Sequence, residues 1–244
     1  MTRRSLLGGL FLVLTACGAT STEAKPTVAA DAPEQNAAQP RSRFVCREYD
    51  RGTSAFKSRT VVLQQMDDLG LTEGKKLTFE AELYEGANVL PARTEKGQAE
   101  TEDVNFAFTS ESGAFKFHTF FDELEESGLQ LDGKDAGDFV CFTGHLVCSD
   151  YDRSTETLKQ QTVVLSQRGT APIVEGRKIP FDLERFESAK MFAGQTSEGT
   201  VETEDVMFVF TSNDTKTVFN VFLDELSESG LTIEGKDRGD FICR

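Results

Sequence analysis

From residue 44 onward the chain is written twice. Val-Cys-Arg-Glu-Tyr-Asp-Arg at 45–51 returns as Val-Cys-Ser-Asp-Tyr-Asp-Arg at 147–153, and Thr-Val-Val-Leu at 60–63 returns at 162–165. Glu-Thr-Glu-Asp-Val at 100–104 recurs at 202–206, and Gly-Lys-Asp-x-Gly-Asp-Phe-x-Cys at 133–141 recurs at 235–243. The offset is always 102 residues, nearly half of the aligned positions are identical, and no gap is needed. A tandem duplication of this kind folds as two versions of one module, here residues 44–142 and 146–244. Only Thr143, Gly144 and His145 connect them, so the modules are expected to be packed neighbours.

Within a module the apolar residues alternate. Leu77, Phe79, Ala81 and Leu83 share one parity, with Thr78, Glu80 and Glu82 on the other; Val104, Phe106 and Phe108 repeat the pattern, as do Val206, Phe208 and Phe210. A period of two marks half-buried strands. Further strands are expected near 44–50, 59–66, 114–121 and 138–142, and 102 residues later. A short helix or helical turn is expected after the fifth strand, with Asp122 as its N-cap and Gly128 as its stop. Asp122 and Glu125 could form a capping box, although Ser227 replaces that glutamate in the second copy. Asp132-Gly133 and Glu234-Gly235 read as tight turns into the last strand. The fold class is therefore all-β, with at most one short helix per repeat. Two tandem homologous antiparallel modules follow, each a sandwich or a small barrel.

Five cysteines sort by position. Cys46 and Cys141 bracket the first module, Cys148 and Cys243 bracket the second, and Cys17 stands apart. Four cysteines allow three pairings, and only 46–141 with 148–243 gives both copies the same bond. The first and last strands of each module must then be neighbours, with Cα atoms about 5.5–6 Å apart. None of these spacings has the close pairs of a zinc site.

The N-terminus carries a separate message. Arg3 and Arg4 precede a run of about 12 apolar residues at positions 5–16, too short to span a bilayer as a helix. The run ends in Leu14-Thr15-Ala16-Cys17. This segment resembles the signal peptide and lipobox of bacterial lipoproteins. The resemblance implies removal of residues 1–16, diacylglyceryl attachment to Cys17, and a stable membrane anchor. Gly18 stands where an aspartate would favour inner-membrane retention, which implies the outer membrane. Residues 18–43 contain no aromatic residue and carry Pro26, Pro33 and Pro40. With the lipidated Cys17 they are read as a disordered tether (17–43) with a reach of about 25–30 Å.

Charge narrows the partners. The formal charge of −15 becomes −17 once Arg3 and Arg4 leave with the signal segment, and such a chain repels nucleic acid and anionic lipid headgroups. No nucleic-acid partner is expected. The partners expected are the membrane, through the lipid anchor, and an envelope protein or polymer.

Site chemistry is sparse. Glu100, Glu102 and Asp103 recur as Glu202, Glu204 and Asp205, but strand parity keeps all three from facing one ion. Asp132, Asp135 and Asp138 recur as Glu234, Asp237 and Asp240 in a Gly-containing loop, where turn chemistry accounts for them. A Ca²⁺-dependent protein using these acidic loops is the alternative reading. Tyr49-Asp50-Arg51 and Tyr151-Asp152-Arg153 could lock the first strand of each module, and Tyr49, Arg51, Tyr151 and Arg153 are the candidate binding residues. His118 aligns with Asn220, and His145 lies in the connector. No catalytic residue, metal ligand or cofactor is assigned. A non-enzymatic binding or structural role is expected, with a hydrolase built on a carboxylate pair as a further alternative.

Overall fold

The computed structural model describes residues 42–189 and 193–244. Residues 1–16, Cys17 and the tether up to residue 41 lie outside the described residues. The first module contains eight strands: β1 (Arg43–Asp50), β2 (Ala55–Gln65), β3 (Lys76–Glu85), β4 (Arg93–Glu102), β5 (Asn105–Ser110), β6 (Phe115–Phe120), β7 (Ser127–Leu131) and β8 (Lys134–Phe142). The second contains β9 (Leu146–Asp152), β10 (Thr157–Gln167), β11 (Ile179–Phe186), β12 (Gln195–Glu204), β13 (Met207–Ser212), β14 (Thr217–Phe222), β15 (Ser229–Ile233) and β16 (Lys236–Cys243). Each strand pairs antiparallel with the next, and the last closes on the first, giving two up-and-down barrels. Closure removes the sheet edges that an open sandwich would have to protect.

An eight-stranded barrel is just wide enough for side chains to fill it, and phenylalanine does most of the filling. Phe44, Phe79, Phe106, Phe108, Phe115, Phe117 and Phe139 point into the first barrel with Val61, Leu63, Leu77 and Leu129. The second is filled by Phe181, Phe208, Phe210, Phe219 and Phe241 with Val163, Leu165, Leu183 and Leu231. Edge-on pairs such as Phe79–Phe106 (5.1 Å) and Phe181–Phe208 (5.4 Å) repeat between the copies, a geometry that the ring quadrupoles favour. Outward positions on β3 and β4, including Glu80, Lys96, Gln98 and Glu100, are polar and at least partly exposed. That sense, apolar inside and charged outside, is opposite to that of a membrane-spanning barrel.

Both disulfides form as the duplication requires, Cys46–Cys141 and Cys148–Cys243. The paired cysteines lie directly opposite one another in register. Their Cα atoms are 3.9 Å apart, closer than the 5.5–6 Å expected from disulfides in general. The Cys141 N–H donates to Leu124 O instead of to β1, so the pair occupies the narrow, non-hydrogen-bonded type of site.

Two expectations change. Each module has eight strands where the alternation pattern marked about six. β4 lacks the pattern because its inward residues are Gly97, Ala99 and Thr101, all buried but small. Small residues are needed there, since a Cβ on Gly97 would strike the Thr109 carbonyl and Ser110 Cα of β5. The short helix is also reduced. Residues 122–126 form only a turn, and the second copy has a single 3-10 turn, Leu226–Glu228, without a side-chain cap. Ser127 and Gly128 do not end a helix. They begin β7, paired with β6 and β8, and the six residues between β6 and β7 leave no room for helical propagation. The turns into the last strand are as read: Asp132 and Gly133 both have positive φ (52° and 76°), as do Glu234 and Gly235, which the two-residue hairpin requires.

Candidate functional site

The residues singled out from sequence are used within each barrel. Tyr49 Oη donates to the Glu125 carbonyl (2.7 Å) and Tyr151 Oη to the Ser227 carbonyl (2.5 Å). Each tyrosine thus ties the end of the first strand to the turn before the seventh. Arg51 reaches Glu126 and Asp138, and Arg153 reaches Glu228 and Asp240. These pairs are about half exposed, so each contributes about 0–1 kcal/mol. The Asp–Arg neighbours do not pair with each other. Asp50 accepts from Thr53 N–H, and Asp152 from the Ser154 hydroxyl and then its N–H, and those bonds lower both carboxyl pKa values.

The acidic groups disperse. Asp135 and Asp237 each accept the N–H two residues on, at Gly137 and Gly239, while Asp138 and Asp240 belong to the arginine latches. Glu100 and Glu202 face Lys76 and Lys178 on the neighbouring strand, and Asp103 and Asp205 occupy turn positions with positive φ. Among the described residues no three His, Cys, Asp or Glu side chains converge as metal ligands. His145 stacks on Phe208 and meets Phe181 edge-on, both at 5.6 Å. It seals the second core where Phe44 seals the first against Phe106, and burial and then Arg43 lower its pKa.

The chemistry that the sequence did not advertise lies between the barrels, which belong to one compact unit. Val45, Tyr49, Val62, Tyr84, Val140 and Phe142 of the first barrel bury against Val147, Val164, Phe186 and Ala189 of the second. The contacts are reciprocal. Ala87 N–H donates to Glu156 O, and Ala189 N–H donates to Ser54 O; these are one contact seen from each copy, shifted by 102. Phe142 meets the Phe186 ring at 5.0 Å, and at the equivalent positions the Arg244 guanidinium lies 4.3 Å over the Tyr84 ring. Residue i touching j while j touches i is the mark of an isologous, pseudo-twofold interface.

One residue breaks that symmetry at its centre. Arg47, fully buried, extends from β1 to β10, donating to Lys159 O (2.7 Å), Gln161 O (3.1 Å) and Thr162 Oγ1 (2.6 Å). It also lies 3.9 Å over the Phe56 ring. Its counterpart is Ser149. Burial, with the charge of Arg244 adding to it, lowers the Arg47 pKa to about 9, so the guanidinium stays charged at neutral pH. Beside it, Gln160 makes two hydrogen bonds to the Phe56 backbone.

Where the barrels diverge from each other, two pseudo-equivalent clefts remain. The first has a volume of about 180 Å³ and is walled by Leu124, Val140, Phe142 and Phe186. The second has about 430 Å³ and is walled by Arg43, Tyr84, Val89, Leu226, Ile242 and Arg244. Leu124 and Leu226, Val140 and Ile242, Phe142 and Arg244, and Phe186 and Tyr84 are matched positions. The outer faces also carry a matched pair of open grooves of 520 and 530 Å³, at Lys76, Gln98, Glu100 and Thr109 and at Lys178, Thr200, Glu202 and Thr211. In sequence, the signal for the interface was the run Val61-Val62-Leu63, apolar on both parities. Such a strand is covered on both faces.

Compared with known proteins, the chain matches no family model, no curated protein and no solved structure.

Proposed function

We propose that this chain is a lipid-anchored protein of the bacterial envelope with a non-enzymatic binding or structural role. In this reading Cys17 is acylated at the outer membrane, and the tether holds the paired barrels off the lipid surface. The observation that carries the reading is the combination of a lipobox-like segment with a duplicated module closed by a disulfide in each copy. Disulfides persist outside the reducing cytosol. Side chains fill both barrel interiors, so recognition falls to outer surfaces and to the clefts between barrels. Two related modules on one tether can engage a repetitive target with more avidity than either alone.

The test is labelling of expressing cells with an alkyne analogue of palmitate, comparing the native chain with Cys17→Ala. The reading expects label and membrane fractionation for the native chain, and release of the unlabelled variant into the soluble periplasmic fraction. Label retained in Cys17→Ala, or a native chain that is soluble and unlabelled, overturns the anchor.

A further inference from the structure

The two clefts between the barrels began as one design and no longer match. In the smaller, Phe142 and Phe186 close ring on ring, and no cation lines the wall. In the larger, their counterparts are Arg244 and Tyr84, and Arg43 joins them from the start of β1. Among the described residues neither arginine forms an ion pair. Arg244 is only 6% exposed. Its Nη2 donates to the Asn88 carbonyl (2.8 Å), while its Nε and Nη1 are buried without a partner. Glu82, whose charge acts on both arginines, is engaged by Tyr84 Oη at 2.7 Å. Asp224 and Glu225 also line the cleft, on the exposed lip.

A buried guanidinium with two nitrogens unsatisfied costs stability, whereas two packed rings do not. Burial lowers the Arg244 pKa to about 10, which leaves it cationic at neutral pH. Among the described residues the acid whose charge acts on Arg244 is Glu82, which forms no ion pair with it, although the overall charge of the chain is strongly negative. Apart from Asp224, Glu225 and Ser227, the rest of the wall is apolar: Leu226 and Ile242 inside, with Val89 (63% exposed) and Leu223 (46% exposed) at the mouth. A cleft of 430 Å³ lies within the size range of small-molecule sites.

We propose that the cleft lined by Arg43, Tyr84 and Arg244 binds a small amphipathic anion. Its carboxylate or phosphate head sits against the two guanidinium groups, and its short hydrocarbon body against Val89, Leu223 and Leu226. Guanidinium groups suit both heads because their planar fork matches two oxygens at once. The proposal deepens the binding reading but does not depend on the anchor, so a soluble titration separates the two.

The experiment uses the mature chain carrying Cys17→Ser, which keeps every described residue, and follows the arginine Nε–H resonances by NMR. Octanoate, octyl phosphate, inorganic phosphate and octanol are the probes. The proposal expects saturable shifts at Arg244 with octanoate or octyl phosphate, at a dissociation constant of about 1 mM or tighter. It expects octanol and inorganic phosphate to bind at least about tenfold more weakly. Which of the two octyl probes is tighter identifies the head group. Arg244→Phe installs the residue of the twin cleft, so it should fold with an unchanged or higher Tm and lose at least about tenfold in affinity; Arg43→Gln should weaken binding with no effect on folding. Inorganic phosphate binding as tightly as octyl phosphate overturns the proposal, as does an Arg244→Phe chain that binds like the native one or a native chain with no saturable shift.

Discussion

Replacing Arg47 by alanine and by methionine separates the two ways in which this side chain can hold the barrels together. Alanine removes two buried methylenes of the stem, about 0.8 kcal/mol each, and strands the buried Thr162 hydroxyl at about 1–3 kcal/mol; two part-buried β10 carbonyls lose a donor as well. Against this stands relief from holding a charge out of water, since burial has already lowered its pKa to about 9. The balance is a loss of about 3 kcal/mol for Arg47→Ala. At about 2–4 °C per kcal/mol for a domain of this size, Tm falls by about 6–12 °C. Methionine keeps the stem and its contact with Phe56 and also relieves the buried charge, so its cost is about 1 kcal/mol. Urea unfolding followed by far-UV circular dichroism reads both values, and ¹⁵N relaxation reads whether the barrels still tumble as one body. A methionine variant as unstable as the alanine variant would mean that the charged hydrogen bonds, and not packing, join the barrels. An alanine variant within about 0.5 kcal/mol of native would mean that the Arg47 contact contributes nothing.

Three further outcomes follow from the same geometry. Cys46→Ser with Cys141→Ser opens a 95-residue separation and should lower stability by about 4–5 kcal/mol on chain entropy, measured by urea unfolding of the double variant. Gly97→Val places a side chain against the β5 backbone at Thr109 and should cost about 3 kcal/mol, whereas Gly74→Ala, with nothing near it, should cost about 1 kcal/mol through its positive φ; comparable losses at both sites would refute the close-approach argument. Tyr84 is raised to about 12 by burial and by Glu82. Tyrosinate is therefore disfavoured in the fold, and the stability tied to the neutral phenol is present below the unfolded pKa of about 10. It is lost as pH rises from about 10 toward 12. A Tm-against-pH series should show that loss, and Tyr84→Phe should reduce it.

The repeat, the disulfide pairing and the β class were legible because each rests on identity or periodicity in the chain. The barrel itself was not, because closure depends on β4, whose inward Gly97, Ala99 and Thr101 are too small to register as an apolar face. The segment at Ser127 and Gly128 misled for a related reason. An aspartate followed by acids and a glycine is helix-start and helix-stop chemistry, but β6 and β8 claim those residues as a strand. The interface was hardest to see. Comparing the copies draws attention to what they share, whereas Arg47, Tyr84, Phe142, Phe186 and Arg244 sit where the copies differ. Their differences are what makes a pseudo-twofold pair unequal, as one cleft closed by two rings and one open cleft carrying two cations. The tyrosines and arginines that did repeat are fold latches, because both copies need the same latch.

The most direct test of the account is the intact mass of the mature protein purified from membranes, before and after reduction and alkylation. The account predicts a chain that begins at Cys17 with added acyl mass, and four thiols that react with the alkylating agent only after reduction. A chain that retains residues 1–16, or a bare Cys17 with thiols that alkylate without reductant, would contradict it.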